Sequence, residues 1–310
     1  MSFASLGLRA ELLSAITTQG YTTPTPIQSQ AIPVIFEGCD LLAGAQTGTG
    51  KTAAFALPIV QMLSETTTYK KRRHPRALVL VPTRELAAQV SEQMQNYGRR
   101  LSLRSIKIYG GVNIRPQMER LDRGVDIVVA TPGRLLDHAE RGTINLSEIE
   151  FLVLDEADRM LDLGFIDDIL RVAEFLPGDR QNLLFSATYS KSIKQLADEL
   201  LDQPRRIEVE RRNIAADAIT QAIYPVERSR KREMLSHLIR KGNWSQVLVF
   251  TRTRYGADKL TDELLFDGIK AAPIHSNKSQ SIRTRTLAEF KKGQVRVLVA
   301  TDVALSLIHI

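Results

Sequence analysis

Short apolar runs rich in β-branched residues recur along the chain, separated by stretches with helical spacing. Ala77 to Val81, Asp126 to Ala130, Phe151 to Leu154 and Asn182 to Ser186 predict strands. Arg84 to Gln95 and Ile166 to Leu176, lying between them, predict amphipathic helices. Apolar runs that alternate with helices predict a parallel sheet covered on both faces. A second series follows, with strands expected at Gln246 to Phe250, Ala271 to Ile274 and Val295 to Ala300. Asp202 to Asp217, charged and without sustained helical period, separates the two series and reads as a linker. Within it, Ile207 to Glu210 is a candidate last strand of the first series. The pattern predicts an α/β chain with a first domain at 1–207, a linker at 208–217 and a second domain at 218–310. An α/β domain usually takes about 100–150 residues and only roughly 90 remain for the second. Its C-terminal part is expected to be missing.

Composition removes several classes. The 310 residues are 43% hydrophobic and 25% charged, which excludes disorder, a collagen-like repeat and a coiled rod. No run approaches the ~18 uninterrupted apolar residues of a membrane span. The N-terminus lacks the basic-then-apolar pattern of a secretory signal. Cys39 is the one cysteine, which excludes an intrachain disulfide and a cysteine zinc site and fits a reducing, cytosolic home. Basic residues number 42 and acidic ones 35, a net +7 that favours a polyanionic partner. The surplus is clumped at Lys70 to Arg73, Arg205-Arg206, Arg211-Arg212 and Arg228 to Arg232. Each clump alone reads first as a solvated loop or linker.

The strongest chemical signal is Ala45-Gln46-Thr47-Gly48-Thr49-Gly50-Lys51-Thr52, which follows the apolar run Asp40 to Ala43 and opens a helix at Lys51. Backbone N–H groups of such a loop cradle phosphates, and the helix N-terminus adds a favourable dipole. Lys51 would reach the β/γ-phosphates and the Thr52 hydroxyl would bind Mg²⁺. The general pattern begins with Gly where this chain has Ala45. About a hundred residues later, Phe151 to Leu154 runs into Asp155-Glu156-Ala157-Asp158. Asp155 at a strand end can hold Mg²⁺, and Glu156 can orient and deprotonate the water that attacks the γ-phosphorus. Alone, the four residues also fit the acidic first turn of a helix.

From Phe3 to about Ala304 the chain resembles the DEAD-box RNA helicases, in wording closest to the bacterial RhlE type. The resemblance implies two tandem RecA-like parallel-sheet domains, the second incomplete. It makes Gly20 to Gln28 the adenine-reading segment, with Gln28 on the adenine edge, Tyr21 packed against the base and Phe3 the upstream aromatic. Unaided, that stretch reads as a Pro-rich turn capping a helix. The resemblance gives RNA contacts to Pro82-Thr83-Arg84, Gly110-Gly111 and Thr131-Pro132-Gly133-Arg134, and in the second domain to Arg252, His275 and Thr301. Ser186-Ala187-Thr188, with Asp158, would couple ATP state to strand separation through hydrogen bonds between the two segments. Ser276 stands where the family has Gly after the His, a turn position where φ > 0 would cost a serine energy. The basic run Lys70 to Arg76 reads as surface rather than as an RNA contact.

After Ala304 the resemblance breaks, and Leu305 to Ile310 looks like a translated sequencing adapter. An arginine finger is worth roughly 10³–10⁵ in phosphoryl-transfer rate, so a chain lacking one is expected to bind ATP and RNA yet turn over poorly. An incomplete second sheet would also leave an exposed edge. The expectation is an ATP- and Mg²⁺-dependent helicase that locally unwinds short RNA duplexes as its cleft closes. It would be a cytoplasmic monomer, away from membranes, with ribonucleoprotein, RNA-decay or ribosome-assembly partners. The alternatives are a non-catalytic, nucleotide-gated RNA clamp and a DNA-directed P-loop ATPase.

Overall fold

The computed structural model describes residues 2–46, 48–66, 73–209 and 220–301. Thr47, the basic run at 70–72, Arg211-Arg212, most of the expected linker and everything from Asp302 onward lie outside the described residues. The chain divides into two compact units, 1–211 and 212–310.

In the first unit a short 3₁₀ turn precedes α1 (Ala10–Thr18) and α2 (Pro26–Phe36). Strands and helices then alternate: β1 (Leu41–Gly44), α3 (Lys51–Glu65), β2 (Ala77–Leu80), α4 (Arg84–Tyr97), β3 (Ser105–Ile108), α5 (Arg115–Asp122) and β4 (Ile127–Ala130). There follow α6 (Pro132–Glu140), β5 (Phe151–Leu154), α7 (Ala157–Asp162), α8 (Ile166–Ala173), β6 (Gln181–Ser186), α9 (Lys191–Leu200) and β7 (Arg205–Glu208). The strands form a seven-stranded parallel sheet in the order β3-β4-β2-β5-β6-β1-β7. Successive side chains alternate between its faces. Leu41, Ala43, Val79 and Val153 pack with residues of α1 to α4, whereas Leu42, Leu78, Leu80 and Leu152 pack with residues of α5 to α9. Burial on both sides is why these strands are uniformly apolar.

The Asp40 carboxylate fixes one end of the sheet. It accepts from the Asn182 backbone N–H at 2.7 Å, the Asn182 side-chain amide at 3.0 Å and the Asp202 N–H at 2.8 Å. These bonds hold β6 and β7 against β1. The start of the expected linker needs correction. Glu208 closes β7, and the strand begins at Arg205 rather than Ile207. Only Ile207 of this edge strand is buried, so its polar wording hid it.

The second unit contains α10 (Lys231–Lys241), β8 (Val247–Phe250), α11 (Arg254–Phe266), β9 (Ala271–Ile274), α12 (Gln280–Lys291) and β10 (Val297–Ala300). Its described strands form a parallel sheet of three in the order β8-β10-β9. β10 is fully buried; β8 is half-covered and ends at Phe250, 45% exposed. The α/β architecture with two parallel sheets agrees with the hydrophobic pattern. No helix among the described residues is long and apolar enough to cross a membrane.

Candidate nucleotide and RNA site

β1 delivers the chain into the phosphate-loop sequence. Ala45 donates its N–H to Ser186 O at 3.0 Å and is buried in the core, where its methyl group is accommodated. The Thr49 hydroxyl donates to Gln46 O at 2.7 Å, closing the turn. Gly48 and Gly50 have φ of 85° and 90°, a left-handed backbone that L side chains avoid. At Gly50 a β-carbon would also overlap the Gln28 amide. Lys51 then opens α3 with a side chain only 6% exposed, and its Nζ has no hydrogen-bond partner among the described residues. Thr52 follows in the first turn, half-buried.

β5 ends beside this loop in the acidic segment. Asp155 donates its backbone N–H to Leu80 O at 3.0 Å, and its Oδ1 accepts from the Glu156 N–H at 3.0 Å. Glu156 adopts φ 54° and ψ 49°, a left-handed conformation that costs a non-glycine residue about 1–3 kcal/mol. Its Oε2 is buried and unpartnered among the described residues. Burial pushes the Asp155 carboxyl above its ordinary range, and Lys51 opposes the rise. Burial, and then the Asp155 charge, pushes Glu156 from 4.5 up to about 7. Asp158, half-buried in the first turn of α7, adds to both rises. The fold thus gathers Lys51, Asp155, Glu156 and Asp158 into one electrostatically coupled cluster.

Gln28 is fully buried, and its amide is used within the chain. Oε1 accepts from the Thr25 N–H at 2.9 Å, and Nε2 donates to Gly50 O at 3.1 Å. It joins the start of α2 to the phosphate loop. Tyr21 shares a 3.3 Å hydroxyl contact with Tyr97 and meets Phe3 edge-on, with ring centroids 6.3 Å apart. The Ser186 hydroxyl donates to Thr188 O at 2.8 Å and accepts from Thr188 N at 3.2 Å. These bonds stay within the Ser186-Ala187-Thr188 segment and do not reach the acidic segment.

The three expected RNA segments of the first unit leave the C-terminal ends of three neighbouring strands, β2, β3 and β4. Thr83 caps α4, accepting from Leu86 N at 3.2 Å after Pro82 ends the strand. The Arg84 guanidinium lies over Gly111, where φ is 72° and a β-carbon would overlap it; Gly110 is adjacent. Thr131 precedes α6, whose first residues are Pro132 and Gly133. From the same turn Arg134 donates to Val112 O at 3.2 and 3.3 Å. Two arginines therefore lie against the loop at residues 110–112, and one of them bonds its backbone.

Below that loop lies a network that motif reading missed. Gln117 donates to Tyr109 O at 3.0 Å, and its Oε1 meets His138 Nε2 at 3.0 Å. His138 Nδ1 meets the Thr143 hydroxyl at 2.7 Å. Burial pulls His138 from 6.5 down to about 4, with Arg134 adding to the fall, so the ring is neutral at pH 7. The sequence signal available was a histidine on the apolar face of α6.

In the second unit Arg252, His275 and Thr301 follow the ends of β8, β9 and β10. Arg252 is exposed, whereas His275 and Thr301 are buried. His275 Nε2 lies 3.0 Å from Asp258, whose carboxylate also pairs with Lys278 at 2.8 Å. Lys278 and then His275 hold Asp258 below its usual range. Ser276 is not among the residues with positive φ, so the turn after His275 does not demand a glycine.

Two family descriptions match the chain: DEAD/DEAH box helicase over residues 25–196, and helicase conserved C-terminal domain over residues 230–306. The DEAD-box ATP-dependent RNA helicase RhpA of Helicobacter pylori is 41% identical over 303 residues, covering 98% of this chain and 60% of that protein. The ATP-dependent RNA helicase RhlB of Pseudomonas aeruginosa is 41% identical over 313 residues, covering 99% of this chain and 79% of the relative. These names differ from the RhlE type to which the motif wording pointed. Among solved structures, a DEAD box protein from Methanococcus jannaschii is 37% identical with a TM-score of 0.64, covering 97% of this chain and 80% of that one. Dbp5 of S. cerevisiae bound to RNA and ADP BeF3 is 30% identical with a TM-score of 0.82, covering 97% of this chain and 76% of Dbp5. This chain belongs to the DEAD/DEAH box helicase family.

Proposed function

We propose that the chain is an ATP-dependent RNA helicase that separates short RNA duplexes locally. The observation that carries the reading is a pair of buried groups with nothing to bond. The Lys51 ammonium and one Glu156 oxygen lie unpartnered among the described residues, beside a loop with two left-handed glycines. Buried charge without a partner is costly and calls for a charged ligand. A nucleoside triphosphate fits, because Lys51 answers its phosphates and the backbone N–H groups of residues 46–52 can cradle them.

Thr52 and Asp155 would hold Mg²⁺, which supplies neutralisation of the phosphate charge. A carboxylate raised by burial fits that role, since an approaching cation restores its ionised form. Glu156, with a pKa near neutrality, orients the attacking water and accepts its proton. Gln28 takes the adenine edge through its remaining N–H and lone pair, and Tyr21 packs against the base. Gln28 also reports on the phosphate loop through Gly50. Ser186 to Thr188 and Asp158 link ATP state to RNA strand separation, through contacts other than the Ser186 hydrogen bonds described above.

RNA lies across the strand ends. Hydroxyls, backbone amides and arginines at Thr83, Arg84, Gly110, Gly111, Thr131 and Arg134 suit phosphates and 2′-hydroxyls, which carry no base sequence. Arg252, His275 and Thr301 are the corresponding RNA contacts of the second unit. The names of the relatives, and the RNA and ADP BeF3 bound to Dbp5, support this assignment. The test is ATP hydrolysis with RNA or DNA added. Stimulation by RNA alone supports the reading; equal stimulation by DNA, or none by either, contradicts it.

A further inference from the structure

A groove of about 990 Å³ opens in the second unit between the start of α10 and the first turns of α11, beside the end of β8. Its cationic lining comes from Arg228, Lys231, Arg232, Arg252 and Lys259. Arg232 is neutralised by Asp267 at 2.9 Å, and the lining residue Glu233 is neutralised by Arg230 at 3.1 Å. Arg228, Lys231, Arg252 and Lys259 make no ion pair among the described residues and face one further carboxylate, Glu263. The groove therefore keeps a surplus of positive charge after internal pairing.

That surplus is not explained by the stability of the helix it sits on. Lys231 and Arg232 occupy the first turn of α10, directly after Arg228 to Arg230, where the helix dipole disfavours cations. No aromatic side chain lines the groove, so it offers no aromatic platform for a base. The chemistry suits a run of phosphates read without regard to sequence. Arg252 connects it to the strand ends, where open α/β sheets place ligands.

We infer that this groove is a second phosphate-binding track, which takes the backbone of an RNA strand beyond the strand-end contacts. Arg228, Lys231 and Lys259 are its ligands. The track rests on the RNA-binding reading above and adds length and salt dependence to it. An acidic protein segment is the rival occupant. It is disfavoured because Leu260 is the only large apolar side chain in the lining, which leaves little for a folded partner to bury.

The test is RNA affinity of the whole chain, read by fluorescence anisotropy of a labelled oligouridylate over a range of KCl. The variant carries Arg228→Gln, Lys231→Gln and Lys259→Gln. The control carries Lys270→Gln, Lys291→Gln and Lys292→Gln, the same charge change at exposed positions away from the groove. The groove variant should bind about tenfold more weakly at physiological salt. Its slope of log affinity against log salt should fall by about 2, at ~0.7 for each lost contact. The control should stay near wild type. Equal behaviour of the two variants overturns the track and leaves the RNA-binding reading standing. A wild-type chain that binds no RNA overturns both. If labelled polyglutamate loses affinity for the groove variant while RNA does not, the surface docks an acidic protein and the inference fails.

Discussion

The two units carry their candidate ligand residues at equivalent places, the C-terminal ends of parallel strands, but support them differently. In the first, β1, β2, β4 and β5 are buried along their whole length, with helices packed on both faces. In the second, Val247 to Val249 of β8 are half-covered and Phe250 is exposed. Among the described residues the first unit holds an unpartnered ammonium, an unpartnered carboxylate oxygen and a left-handed glutamate, and the second holds an unpartnered ring nitrogen of the buried His275. The second offers an exposed arginine and a His275–Asp258–Lys278 group open to solvent at Asp258. Strained and desolvated groups persist only where surrounding packing over-determines them. The packing of the first unit can therefore hold such groups, and the second unit is the more lightly built of the two.

Substitution of Lys51 gives the largest expected contrast. Lys51→Ala should weaken ATP binding by about 100-fold or more, as removal of a desolvated charge contact does. Arg252→Ala, at an exposed position, should weaken RNA binding only a few-fold, by roughly 1 kcal/mol. Titration calorimetry and anisotropy measure the pair; similar losses at both positions would erase the contrast.

The pH dependence of stability comes next, read by urea unfolding of the nucleotide-free chain. Glu156 titrates at 4.5 when unfolded and about 7 when folded, so its contribution to stability is lost as pH rises between those values. Near pH 8, Glu156→Gln should be more stable than wild type by on the order of 3 kcal/mol. Near pH 4 the two should agree. His138 acts in the opposite sense. It sits among Arg134, Asp137 and Arg141 with a folded value near 4, so its contribution is lost as pH falls from 6.5 toward 4. In wild type the two slopes oppose each other. Asp155, also raised by burial, tilts the same way as Glu156, so the Glu156→Gln/Asp155→Asn double variant should expose the His138 slope, and a flat profile over that range would refute the assignment.

Hydrogen exchange sharpens the contrast in packing. Amides of β8 should exchange roughly 10–100-fold faster than those of β10, its fully buried neighbour, because local opening follows burial. Equal protection would mean that β8 is covered in solution. The smallest effect is expected at Ser276. Without positive φ there, Ser276→Gly should shift stability by no more than about 0.5 kcal/mol. A larger gain on thermal melting would show that the turn is strained.

Much of the site was legible because its residues are contiguous. Residues 45–52 and 155–158 each carry their chemistry in one run, and the strands before them are uniformly apolar. The less legible parts have physical reasons. β3, Ser105 to Ile108, exposes Lys107, and β7 exposes Arg205, Arg206 and Glu208, so neither edge strand forms an apolar run. The Gln28–Gly50 and Gln117–His138 contacts join residues about twenty positions apart, which only the folded sheet brings together. The Ser186 hydroxyl, expected to bond the acidic segment, is satisfied among the described residues by the adjacent backbone of Thr188.

The most direct measurement is retention of ATP and RNA by Glu156→Gln, alongside its rate of hydrolysis. The account predicts that the variant holds both ligands with Mg²⁺ present and does not cleave ATP, because Lys51, Thr52 and the RNA face are untouched while the proton acceptor is gone. Hydrolysis at the wild-type rate would contradict it, and the water-activating group would then lie elsewhere.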